Sequence, residues 1–248
     1  MITNKVPDTW QDLQNETARI LAECGFSVEV EKIIDTARGK VEIDVYAEEK
    51  VKGRKYTILC ECKHWKGRVP QNVIHGFRTV TADIGANVSY LISLNGFQVG
   101  AFSAAKHTNT KLVTWEEFQN HFEQSWFDEY LSPNIAKKLN AIMTYSEPLL
   151  PSWFAALPEA KKAEYVTLKN KYDLFGALVM EFTPYARMFE DTKRPSLPLI
   201  KRLDLPPSLL ATIPTEILEA ISYREFFESC LDYGLTAIEE FRSVRDRS

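Results

Sequence analysis

Glu61 and Lys63 stand two residues apart in LCECKHW, Leu59–Trp65, a run that otherwise has the composition of an interior strand. Successive strand side chains point to opposite faces, so Leu59, Glu61 and Lys63 share one face and Cys60, Cys62 and His64 the other. Asp44 belongs to an earlier alternating segment, VEIDVYA, in which Ile43 and Val45 take one side and Glu42, Asp44 and Tyr46 the other. Pairing of these segments through the polar loop around Gly53 would set Asp44 beside Glu61. Two carboxylates side by side in an interior need cationic compensation, and the cations within reach are Lys63 and a divalent metal from solvent. Mg2+ suits the pair, because it takes hard oxygen donors, keeps several waters and accepts a substrate phosphate oxygen; Mn2+ can substitute. Lys63 would then position or help deprotonate an attacking water and offset phosphate charge, which is the chemistry of phosphodiester hydrolysis.

Each of these residues also has an ordinary reading. A Glu-x-Lys pair on an edge strand is a weak surface ion pair, but the preceding YTIL has the apolar character of a central strand. Asp44 could be a solvated strand-end carboxylate, and Glu16 a solvated glutamate on the polar face of a helix. Cys60, Cys62 and His64 share a face, yet a closed zinc site wants four ligands and no companion pair has the spacing, so they read as small buried side chains. The KHWKGR run, Lys63–Arg68, is either a solvated loop or a phosphate- and base-contacting one, with Trp65 set among cations. There is no Gly-x-Ser-x-Gly elbow and no Gly-x-x-x-x-Gly-Lys-Ser/Thr phosphate loop, so neither serine hydrolase nor nucleotide-driven chemistry is indicated.

The elements that must position these groups follow from periodicity. Residues 12–24 read as an amphipathic helix carrying Glu16 and closed by Gly25; 26–34, 41–47 and 56–63 read as strands. A helix follows Pro70 and stops at Gly85, then come a strand at 88–94, a short helix and a strand at 111–115. Three antiparallel strands followed by crossovers predict an α/β sandwich with a mixed five-stranded sheet flanked by helices. Beyond residue 115 every segment reads as helix, punctuated by prolines, with a linker from about 192 to 214. This predicts an N-terminal domain over 1–130 and an all-α domain over 131–248.

VEID followed after a hairpin by CECK resembles the Asp…Glu-x-Lys signature of PD-(D/E)xK nucleases, and the order of elements resembles the Mrr-like restriction endonuclease domain over roughly residues 8 to 122. That resemblance implies a restriction-endonuclease-like fold in which Asp44 and Glu61 are metal ligands and Lys63 is the catalytic lysine. Glu16 matches a helical glutamate that touches metal directly or through water. Lys66, Arg68 and Gln71 fall where substrate contacts would lie. The chain departs from many Mrr-like domains in having GKVEID rather than a Gly-rich stretch before the aspartate, and Glu rather than Gln at position 61.

With 45% hydrophobic and 26% charged residues, the 248-residue chain has the composition of a globular protein. A net charge of −4 gives no global attraction for polyanions, so DNA binding would depend on local basic clusters such as 50–55 and 63–68. Four dispersed cysteines and the lack of a long apolar segment point to a reducing cytoplasm and no membrane. The expectation is a Mg2+-dependent endonuclease acting on DNA, in restriction or defence against foreign DNA. The helices after 131 would serve recognition, self-association or a protein partner. The alternatives are a catalytically silent nucleic-acid-binding or assembly module with the same fold, and a structure-specific repair or junction nuclease.

Overall fold

The computed structural model describes residues 1–147, 149–186 and 194–246. The chain divides into two compact units, Lys5–Glu129 and a second made of Met1–Asn4 with Tyr130–Ser248.

The first unit is built on a five-stranded sheet in the order β1 (Ser27–Thr36), β2 (Gly39–Val51), β3 (Arg54–Lys63), β4 (Val88–Ser93), β5 (Thr110–Thr114). β1, β2 and β3 pair antiparallel, and β3, β4 and β5 pair parallel. The parallel step requires a crossover, which α2 (Gln71–Ile84) supplies between β3 and β4 and α3 (Val99–Ala105) between β4 and β5. Gly85 closes α2 at φ +72°, a left-handed position that glycine adopts at no steric cost. On the α2 and α3 side, Leu59, Leu91, Ile74, Phe77, Phe97 and Ala101 form one buried cluster. On the other side lie α1 (Trp10–Glu23) and α4 (Trp115–Trp126), where Tyr90 meets the rings of Phe118 and Phe122 at 5.7 and 5.5 Å. Both helices begin with a reciprocal cap: the Thr9 and Thr114 hydroxyls accept the Asp12 and Glu117 amides, and those carboxylates accept the cap amides. The fold is the mixed five-stranded sheet flanked by helices that the pattern predicts.

The second unit is helical. Helix α5 (Ser132–Lys138) stops at Leu139 before α6 (Asn140–Tyr145), so the segment that reads as one helix is two. α7 (Glu159–Met180) and α10 (Tyr223–Asp246) are its long helices, with α8 (Pro207–Leu210) and α9 (Thr215–Leu218) between them. Part of the expected linker is thus helical, and its residues 192 and 193 lie outside the described residues. Met1–Asn4 joins this unit rather than the sheet. The Tyr223 and Arg224 amides, first-turn donors without helical partners, donate to the carbonyls of Met1 and Ile2 at 3.2 and 2.8 Å, and the Thr3 hydroxyl donates to Glu225 at 2.5 Å. Among the described residues no helix is long and apolar enough to cross a membrane.

Candidate active site

The β2–β3 ladder runs from the Val51–Arg54 pair to Val45–Cys60 and ends there. Beyond that rung the Cys62 amide donates to the carboxylate of Asp44 at 2.6 Å instead of to a β2 carbonyl. β1 is interrupted at the same level: Val30 pairs with Val45 and Lys32 with Ile43, while Glu31 between them takes φ +53°. A non-glycine residue at positive φ breaks the pleat, and the alternation of β2 changes phase across Asp44. Ile43 and Tyr46, on opposite sides under strict alternation, therefore pack in the same cluster with Leu59. This corrects the expectation that Ile43 faces away from Tyr46, and it sets the Asp44 side chain in the opening between two strands.

Glu61 and Lys63 lie on the β3 face of Leu59, as a period of two requires, and the Lys63 ammonium donates to the Glu61 carboxylate. Both are largely covered, with side chains 22% and 17% exposed. Burial raises the pKa of Asp44 above the ordinary carboxylate range, against the pull of the Cys62 amide and the Lys63 ammonium, with Glu42 adding to the rise. Glu61 is likewise raised, first by burial and then by the charge of Asp44, with Lys63 opposing. Two carboxyls that each hold their protons too tightly, one of them bonded to an ammonium, form a site short of positive charge. A hard divalent cation is the chemistry that fits such a donor set.

The structure does not bring every candidate to this point. Glu16 is half-buried on α1, 3.7 Å from Arg19, and lines a pocket of about 460 Å³ with Lys5, Pro7, Asp8, Asp12 and Asn15. Among the described residues no three His, Cys, Asp or Glu side chains are grouped closely enough to hold a metal, so Glu16 does not join Asp44 and Glu61 in a three-carboxylate cluster. The next residue on that helix, Thr17, meets the Cys62 thiol at 3.8 Å and anchors α1 over β3. Burial pushes the Cys60 and Cys62 thiols well up, which suits space-filling side chains and not thiolate ligands. His64 is paired with the Pro7 carbonyl at 3.1 Å.

Lys66 and Arg68 are exposed on the loop that leaves β3. That loop is fixed by the Asn95 carboxamide, which donates to the Trp65 carbonyl at 2.6 Å, and by the Val69–Phe97 bridge. Gln71, at the start of α2, pairs with His75 at 3.0 Å and lies across Gly100, where a Cβ would come within 2.7 Å of its carboxamide oxygen. Sequence reasoning did not find the Cys62 amide or Asn95. The amide has no side-chain signature, and Asn95 acts through a loop 30 residues away.

Residues 8–122 match the family of Mrr catalytic domains described as restriction endonuclease. This stretch is an Mrr-like restriction endonuclease domain. The Mrr-like domain thus ends within α4 and falls inside the sheet unit. No curated protein matches the chain. Among solved structures, the crystal structure of a protein of unknown function, AF1548, is similar with a TM-score of 0.39 and 16% identity, over 73% of this chain and 98% of its own.

Proposed function

We propose that the Mrr-like domain is a divalent-metal-dependent endonuclease that hydrolyses phosphodiester bonds in DNA, the substrate its family name denotes, in restriction of foreign DNA. The observation that carries this reading is the Asp44 carboxylate set in the opened strand pair, coupled electrostatically to a covered Glu61 that holds the Lys63 ammonium. Asp44 and Glu61 would hold Mg2+ or Mn2+, with Glu16 acting through water. The metal would supply Lewis-acid stabilisation of the phosphoryl oxygens and a more acidic water. Lys63, bonded to Glu61 in the metal-free site, would orient the attacking water and offset the charge that grows on phosphate. The Cys62 amide keeps Asp44 oriented throughout, while Lys66, Arg68 and Gln71 hold flanking phosphates.

Cleavage of circular and linear duplex DNA, single-stranded DNA and RNA, with Mg2+, Mn2+ or EDTA, tests this directly. Cutting should require the metal and fall by about 10² to 10³-fold in Lys63→Ala. If wild type cuts nothing under any of these conditions and Mn2+ binding is the same in Asp44→Asn as in wild type, the reading fails. A silent nucleic-acid-binding module then takes its place.

A further inference from the structure

Trp65 keeps 43% of its surface in solvent although it follows Lys63 by only two positions, and the Lys63 ammonium lies 5.5 Å from the centroid of its ring. A single exposed aromatic is common and needs no explanation. This one differs in three respects. Its main chain is clamped by Asn95 and its loop is bridged through Val69 to Phe97, so the ring sits on a fixed base. Lys66 and Arg68 flank it on the same exposed loop. Phe97 in turn carries the ring of Phe102 at 5.9 Å, and Phe102 and Val99 on α3 are 57% and 83% exposed. An exposed ring set among cations and close to a carboxylate pair makes a poor protein-binding patch, whose centre would be depleted of charge. It has the make-up of surfaces that grip unpaired nucleotides, where bases stack on aromatics and cations follow the phosphates.

We propose that Trp65 is a stacking platform for an unstacked base next to the scissile phosphate. The preferred substrates then carry unpaired nucleotides at the point of cleavage: single strands, flaps and junction branches ahead of continuous duplex. The proposal rests on the nuclease reading above. In a duplex each base is covered by its neighbours and the ring has nothing to stack on; in a single strand the face is open, and a base held by Trp65 leaves its phosphate beside Lys63.

The test uses the full chain carrying Asp44→Asn, which keeps the Lys63–Trp65 contact while blocking cleavage. It is titrated with oligo-dT, a blunt duplex and a duplex bearing a single-stranded flap, reading both binding and indole fluorescence. Oligo-dT and the flap should quench the indole emission, and adding Trp65→Ala should weaken their binding ~10-fold while blunt duplex binding stays the same. Trp65→Phe should restore most of the binding without the quench. Equal losses on all three substrates, or no loss on any, would overturn the proposal. In otherwise wild-type protein, metal-dependent cutting with no change in substrate preference in Trp65→Ala overturns it and leaves the nuclease reading standing. Failure of the parent to bind or cut any nucleic acid overturns both.

Discussion

The sheet unit holds carboxylates and an ammonium in a strand pair that opens to admit them, whereas the helical unit closes on rings and glycines. In the helical unit Phe241 stacks on Tyr145 at 4.5 Å and meets Tyr165 at 5.3 Å, while Glu240 accepts from the Tyr172 hydroxyl at 3.0 Å and from Lys171 at 3.1 Å. Gly176 and Gly234 face Ser146 and Leu139 with no room for a Cβ. The first arrangement costs stability, since covered like charges repel. The second gains stability from contact, and any added atom reduces it.

The largest effect should come from attacking the second arrangement. In Gly176→Ala the new Cβ would stand 1.9 Å from the Ser146 hydroxyl. The overpacking should cost about 3 kcal/mol, against the ~1 kcal/mol of helix propensity that alanine returns, a net loss of about 2 kcal/mol. Segment-resolved hydrogen exchange should show faster exchange in α6 and α7 and unchanged rates in β3 and β4; an unchanged α7 would mean that the glycine is not a packing requirement.

Glu61→Gln should move the first arrangement in the opposite direction, stabilising metal-free protein at pH 8 by on the order of 1 kcal/mol, read as a higher melting temperature, while abolishing cleavage. The sign follows from the raised pKa of Glu61. The folded state binds that proton more tightly than the unfolded chain does, so ionisation costs stability above the folded pKa, and the cost disappears below the unfolded one. The gain from glutamine should therefore shrink as pH falls. A gain that grows on acidification would contradict the electrostatic account.

The smallest effect concerns Thr3→Val, which removes the hydroxyl bonded to Glu225 and should cost about 0.5 kcal/mol. Burial works to raise the Glu225 pKa, but hydrogen bonds from Ser222, Thr3 and the Asn4 amide leave it below the ordinary range. Its contribution is present above the unfolded pKa and is lost as pH falls through the folded one. Acidification should accordingly release Met1–Asn4 from α10 and erase the difference between Thr3→Val and wild type, as read by exchange of the Tyr223 and Arg224 amides.

Much of the sheet unit was legible because its signals are local. A period of two places Glu61 and Lys63 on one face, Gly85 marks the end of α2, and alternating strand and helix patterns after β3 imply crossovers. What escaped depends on partners distant in sequence. No local pattern announces that Glu31 will take a positive φ opposite Asp44, that β2 will change phase there, or that Met1–Asn4 will cap a helix more than 200 residues later. The break at Leu139 was hidden for a related reason: its residues have ordinary helix propensity, and tertiary packing overrides it.

The hydrogen bond from the Cys62 amide to Asp44 leaves one key carboxylate aimed by the main chain and not by the side chains around it. A main-chain donor is present whatever residue occupies position 62, proline excepted. The positions flanking Glu61 can thus drift among small apolar residues over generations without disturbing the aim of the carboxylate. A domain of this design can diversify its interior while keeping that carboxylate in place.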